Sequence, residues 1–268
     1  MTFLANFYEF LYQEGEAPEL FGWFHIVSVI FFILTTVLVA LWLGNGNDKH
    51  VRRFLFVAWL LLVVGEIYRE VCFSLDLING EFSWDYAWYQ FPFQLCSSPL
   101  YALPFVIFLP DSKLRDGFMS FLTFFSFFGG VAVMIYPSDI FISTIGINIQ
   151  SIIHHGTQVV IGVLLLCQKK KELSPKYFLR GLYVFFGFVS VAMILNIVGY
   201  NLLQANGMDD TFNMYFISPY FDCTLPVLSL VTERTANWVG APLYVTVFPL
   251  IAFIVYTVER LIVKKACK

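Results

Sequence analysis

The chain has 268 residues, of which 59% are hydrophobic, 19% aromatic and 13% charged, with a net charge of −3. A soluble globular domain is roughly 45–50% apolar and about 25% charged, so an ordinary soluble enzyme and a disordered chain are excluded, and the lack of a polybasic surface excludes a nucleic-acid partner. Long uncharged apolar runs, rich in the 31 Phe, point to a polytopic helical membrane protein.

At the start of the chain Phe3, Leu4, Phe7, Phe10 and Leu11 recur at helical spacing. They predict a short amphipathic helix lying on the membrane interface within residues 1–19. A spanning helix needs about 20 apolar residues to cross about 30 Å of hydrocarbon. Seven segments qualify, near 21–43, 54–78, 91–109, 117–136, 147–167, 178–204 and 240–262. The second carries Glu66, Arg69 and Glu70. The third carries Pro92, Pro99 and Pro104 and is expected to be kinked or broken. The one long connection, 205–239, holds Phe212, Tyr215, Phe216, Pro219, Tyr220, Phe221 and Pro226, a composition that suits a lid or re-entrant segment better than a flexible linker.

Basic residues set the orientation. Lys49, Arg52, Arg53, Lys113, Arg115, Lys169, Lys170, Lys171, Lys176, Arg180, Arg260, Lys264, Lys265 and Lys268 are 14 of the 16 Lys and Arg, and all fall on one side of the seven spans. By the positive-inside rule that side is cytoplasmic, as is the C-terminus, and the N-terminus is outside. Acidic residues, Asp139 among them, gather on the other side. The expected fold is all-α: a bundle of seven transmembrane helices forming a single membrane domain over residues 1–268.

Placed by depth, the intramembrane polar residues collect in the outer half: His25, Glu66, Arg69, Glu70, Gln94, Cys96, Asn148, His154, His155 and Asn196. Ionisable groups in hydrocarbon cost several kcal/mol unless paired or hydrated, about 2.5–3.5 kcal/mol at a helix centre on insertion scales. A connected polar pocket open to the outside is therefore expected. Each member also has a structural role open to it. Glu66, Arg69 and Glu70 share one broad helix face and suit an ion pair. The Asn residues suit interhelical bonds, and His25 suits a hydrogen-bonded interfacial position. Cys72, Cys167 and Cys267 read as small apolar residues, and Cys223 as a free thiol or a partner for Cys72 or Cys96.

Cys96 stands in a Pro-rich entry beside Ser97, Ser98 and Gln94, at the depth of a histidine, two carboxylates and an arginine. A thiol becomes a nucleophile when a base or cation favours its thiolate. His155 suits the base, Glu66 or Glu70 its orientation, and Gln94, Asn148 or Arg69 an oxyanion donor. The set fits acyl transfer through a thioester.

At these residues the chain resembles the YwaF-like integral membrane proteins. The family's Leu-Pro-Leu-His-Leu-Cys-Ser signature is matched by Phe91-Pro92-Phe93-Gln94-Leu95-Cys96-Ser97, and its Ser-His-Gly by His154-His155-Gly156. The Asn-aromatic stretch after the sixth span is matched by Asn213-Met214-Tyr215-Phe216, and the entry to the last span by Gly240-Ala241-Pro242-Leu243-Tyr244. Gln94 replaces the signature histidine, and both tryptophans of the last motif are absent. Eukaryotic relatives are described as acyltransferases acting on ether phospholipids with a Cys and a His. The resemblance thus implies a multi-pass bacterial plasma-membrane protein with Cys96 and His155 as catalytic residues, phospholipid substrates and no cofactor.

Two other functions fit the same residues. One is a non-catalytic receptor, transporter or lipid-binding protein using the outer pocket. The other is a metal-dependent membrane hydrolase with His25, His155 and Glu66 or Glu70 as ligands, which lacks the usual HExxH helix.

Overall fold

The computed structural model describes residues 3–137, 140–225 and 228–266, so Asp139, Pro226, Cys267 and Lys268 lie outside the described residues. Helix α1 (Phe3–Leu11) is followed by α2 (Trp23–Leu43) and α3 (Asp48–Ser74). A hairpin of β1 (Leu75–Ile78) and β2 (Glu81–Trp84) leads to α4 (Pro99–Phe108). Helices α5 (Lys113–Phe121) and α6 (Phe127–Ile135) run on through a π-helical turn, Leu122–Ser126, as one rod. Then come α7 (Ile145–Lys169), α8 (Pro175–Ala205), the single turn α9 (Ser229–Thr232) and α10 (Gly240–Ala266).

Among the described residues five helices are long and apolar enough to cross a membrane: α2, the α5–α6 rod, α7, α8, and α10 with the turn before it. Of the seven expected spans, those near 54–78 and 91–109 fall short of this measure of length and apolarity. Helix α3 is 27 residues long, but Asp48, Lys49, Arg52, Arg53, Glu66, Arg69 and Glu70 lower its hydropathy. Helix α4 has only 10 residues, because residues 91–98 form turns.

The all-α expectation fits, with one short two-stranded hairpin added to the helices. The chain leaves α3 at Ser74 and pairs Leu75 with Trp84 through Ile78 with Glu81, antiparallel. Asn79 and Gly80 take φ of 54° and 85°, the double left-handed conformation that a two-residue hairpin turn requires and that Asn-Gly adopts most readily.

Helix α7 lies at the centre, against α2, α3 and α6, and most of its apolar stretch is buried, whereas α2 and α10 leave most of theirs exposed. That position explains its composition. Asn148, Gln150, Ser151, His154, His155, Thr157 and Gln158 are all buried, which a helix facing lipid could not sustain. Glycines let its neighbours approach. A Cβ on Gly156 would overlap the ring of Phe32 from α2, and one on Gly130 would come 2.8 Å from the His155 carbonyl oxygen.

The short α4 persists because remote side chains complete its backbone bonding. Pro104 has no N–H to give the Leu100 carbonyl, and the Trp59 indole donates there instead at 2.9 Å. At the C-terminal end Arg52 Nη1 donates to the carbonyls of Ile107 (2.6 Å) and Leu109 (2.7 Å), and Arg115 Nε to that of Val106 (2.9 Å). Two guanidinium groups there also oppose the negative end of the helix dipole.

At the opposite end of the bundle α1 docks on the hairpin and α3. Tyr8 Oη donates to the Leu75 carbonyl at 3.0 Å, and Tyr68 Oη to the Leu11 carbonyl at 2.7 Å.

Candidate functional site

The turn before α4 leaves the Cys96 carbonyl outside the helical ladder. Ser97 N–H bonds back to Gln94, Ser98 N–H to Leu95, and Leu100 N–H to Ser97. The free carbonyl receives two donors from one face of α7: His154 Nε2 at 2.9 Å and Gln158 Nε2 at 2.8 Å. The i, i+4 spacing of His154 and Gln158 stacks them on one side of the helix. Because a carbonyl can only accept, the contact places the His154 proton on Nε2 and leaves Nδ1 as an acceptor. That Nδ1 is buried and has no hydrogen-bond partner among the described residues.

The Cys96 thiol lies beside the Ser97 hydroxyl and its own amide N–H, within electrostatic reach of Arg69 and Glu66. Arg69 is held by three acceptor residues. Its Nε meets Glu66 at 3.0 Å, its Nη2 meets Glu70 at 3.1 Å and the Gln90 carbonyl at 2.7 Å, and it also contacts the Gln90 side chain. The Glu66–Arg69–Glu70 group is thus an ion-paired brace between α3 and the segment that enters α4. The guanidinium supplies the opposite charge that both carboxylates face.

Gln94 is also fully engaged. Its Nε2 donates to the Asn213 carbonyl at 2.9 Å, and its Oε1 accepts from Tyr215 N–H at 2.6 Å. Two more amides treat the same loop alike. Asn196 of α8 donates to the Met214 carbonyl at 3.0 Å and accepts from Met214 N–H at 2.6 Å. Asn213 donates to the Asp222 carbonyl at 2.9 Å and accepts from Ser218 N–H at 2.9 Å. Each amide stands in for a neighbouring strand. Together they thread residues 213–218 into the bundle and hold Tyr215 and Phe216 at φ of 57° and 56°, a left-handed conformation that bulky residues rarely adopt. Tyr215 is 1% exposed and packs against Phe93 and Tyr244, with ring centroids 5.8 Å away in each case.

The remaining sequence-selected residues lie apart from this group or contact it indirectly. His25 uses both ring nitrogens elsewhere, accepting from Phe21 N–H at 3.0 Å and contacting the Met134 carbonyl at 2.9 Å. Asn148 bonds both the N–H and the carbonyl of Ile142, bracing the loop before α7. His155 bonds the Ser151 carbonyl through Nδ1 at 2.7 Å, and its ring centroid lies 5.4 Å from that of His154. Asn196 acts as a loop anchor and not as an interhelical bond. Cys72, Cys96, Cys167 and Cys223 are free thiols. Among the described residues no group of three His, Cys, Asp or Glu side chains converges as metal ligands, so the set of His25, His155 and a carboxylate is not assembled.

Gln158 escaped sequence reasoning. Its signal was the spacing from His154, legible only once the face toward Cys96 is known.

A cleft of about 250 Å³ separates α3 from α7 in the half of the bundle that carries these residues. Leu61, Val64, Gly65, Tyr68, Ile149, Gln150 and Ile153 line it, and His154 belongs to its wall. Comparison with curated proteins and with solved structures gives no match. Residues 20–258 match the TMEM164 family, and with nearly its whole length covered the chain belongs to that family of membrane proteins.

Proposed function

We propose that the protein is a membrane-embedded acyltransferase or transacylase acting on phospholipids, with Cys96 as nucleophile and the His154–His155 pair as its imidazole source. The observation that carries this reading is the placement of Cys96. It sits in a turn outside helical bonding, held by His154 and Gln158, beside Ser97 and within reach of an ion-paired Arg69. The resemblance to YwaF-like proteins assigns the base to His155, and a bacterial plasma membrane is the setting it implies. Gln94, Asn148 and Arg69 are spent on structural bonds, so the Cys96 N–H beside the thiol is the oxyanion donor we favour.

The chemistry balances without a cofactor. Imidazole takes the thiol proton, sulfur attacks the donor ester carbonyl, and the C–S bond forms as the ester C–O bond breaks. The departing alkoxide leaves with that proton. A second hydroxyl then attacks the thioester and gives its proton to imidazole, and the thiolate leaves and is reprotonated.

Purified protein in phospholipid vesicles, followed by lipid mass spectrometry, tests the reading. Wild type should move acyl chains between lipids. Cys96→Ala should abolish transfer while retaining the fold, since removing one thiol leaves little cavity. His155→Ala should reduce transfer by about 10²–10⁴-fold, the usual worth of general base catalysis. Equal transfer by wild type and Cys96→Ala would rule out the thiol as nucleophile. A wild type that binds lipid without transfer would favour the lipid-binding alternative.

A further inference from the structure

We infer that Tyr215 is a further catalytic residue, a second oxyanion donor beside the Cys96 N–H. Its phenol hydroxyl bonds the oxygen on which charge collects when the Cys96 sulfur attacks an ester carbonyl. The inference deepens the acyl-transfer reading and rests on it.

The hydroxyl completes no bond in the fold. Tyr215 is buried, and its Oη has no hydrogen-bond partner among the described residues. It stands beside the Ser98 hydroxyl and within electrostatic reach of Cys96 and Tyr101. Ser98 gives its own proton to the Leu95 carbonyl, and Tyr101 gives its proton to the Pro92 carbonyl at 2.8 Å. Of these three hydroxyls, only that of Tyr215 keeps an uncommitted proton. A desolvated donor without an acceptor is unfavourable. Phenylalanine would keep the packing against Phe93 and Tyr244 without that cost.

The backbone at the same residue is unfavourable too. Tyr215 and Phe216 hold φ of 57° and 56°. Gln94 bonds the Tyr215 N–H itself, Asn196 bonds Met214, and Asn213 closes onto Ser218. Gln94 precedes Cys96 by two residues, so the turn that carries the thiol also fixes the tyrosine. Left-handed backbone held by several outside contacts concentrates at functional sites. Here the side chain so held ends in a donor with nothing to bond until charge develops at Cys96. As the C–S bond forms, the carbonyl π pair moves onto oxygen and meets the two donors, with no proton transferred to it. The pair returns as the ester C–O bond breaks.

The test compares two reactions of the Cys96 sulfur, with the full chain in phospholipid vesicles. Acylation by a long-chain p-nitrophenyl ester passes through an oxyanion. Alkylation by iodoacetamide is a direct displacement at carbon and does not. Both are read on the Cys96 peptide by mass spectrometry. Tyr215→Phe should slow acylation by about 10²–10³-fold, the usual worth of one oxyanion donor. It should alkylate at the wild-type rate and unfold at no lower temperature. Tyr101→Phe, which removes a committed bond, should unfold at a lower temperature and leave the ratio of acylation to alkylation unchanged. Wild-type acylation in Tyr215→Phe overturns the proposal. An equal fall in both reactions, a lowered unfolding temperature, or a ratio that falls as far in Tyr101→Phe overturns it as well. Failure of the thioester reading shows elsewhere. Wild type that is alkylated but never acylated at Cys96, or lipid transfer that survives Cys96→Ala, removes that reading and this proposal together. Normal acylation in Tyr215→Phe removes this proposal alone.

Discussion

Gln94 and Tyr215 are 121 residues apart in the chain, yet the Tyr215 N–H donates to the Gln94 side-chain oxygen at 2.6 Å. Replacing Gln94 with leucine keeps similar bulk and strands both Tyr215 N–H and the Asn213 carbonyl, at about 1–3 kcal/mol for each unsatisfied group. Hydrogen exchange at Met214 and Tyr215 should accelerate in Gln94→Leu while exchange in α7 stays slow. Unchanged protection at Tyr215 would mean that the amide does not hold the loop.

Trp59 and Leu100 give a second measurable bond. Trp59→Phe preserves most of the packing and removes the indole donor from the carbonyl that Pro104 leaves unpaired. We expect a loss of about 1 kcal/mol in unfolding free energy. Trp42, 75% exposed on α2, provides the control, and Trp42→Phe should have no comparable effect.

Gly156 lets Phe32 lie flat against α7 beside His155. Gly156→Ala would force its Cβ into the Phe32 ring and should destabilise by about 1–3 kcal/mol through overpacking. Adding Phe32→Ala makes room for that methyl, so the double variant should lose less than the two single losses added together. Strict additivity would contradict the contact.

Acid should weaken the basic end of the bundle through Asp48, at the start of α3. Partial burial raises its pKa, but hydrogen bonds from Arg52 and Arg115 outweigh burial and hold it below its ordinary 3.8. Those bonds are 2.6 Å each. A carboxylate whose folded-state pKa is depressed contributes stability that is complete above the unfolded value and is lost as pH falls through the folded one. Thermal stability of wild type should therefore drop below about pH 4 more steeply than that of Asp48→Asn. Parallel pH profiles would contradict the assignment.

Helices α2, α7, α8 and α10 were legible because uninterrupted apolar length is a one-dimensional property. The hairpin was not, although Asn79-Gly80 announces it, because Leu75, Leu77 and Ile78 extend the apolar run of α3 and read as more span. Nor was the full truncation of α4, since the donors that complete it, Trp59, Arg52 and Arg115, come from other segments. In the candidate site Cys96 and the histidine pair were legible as types at matched depth. Which of two adjacent histidines contacts Cys96 depends on the rotation of α7 about its axis, and hydropathy on a buried helix does not fix that angle. His25 and Asn148 shared the right depth, but backbone groups of Phe21, Met134 and Ile142 take up their polar atoms.

The most direct measurement is peptide mass spectrometry of the protein recovered from phospholipid vesicles. An acyl adduct on the peptide containing Cys96, released by neutral hydroxylamine and missing in Cys96→Ala, is the expected result. Active wild type that never carries such an adduct, with turnover unaltered by Cys96→Ala, would contradict it.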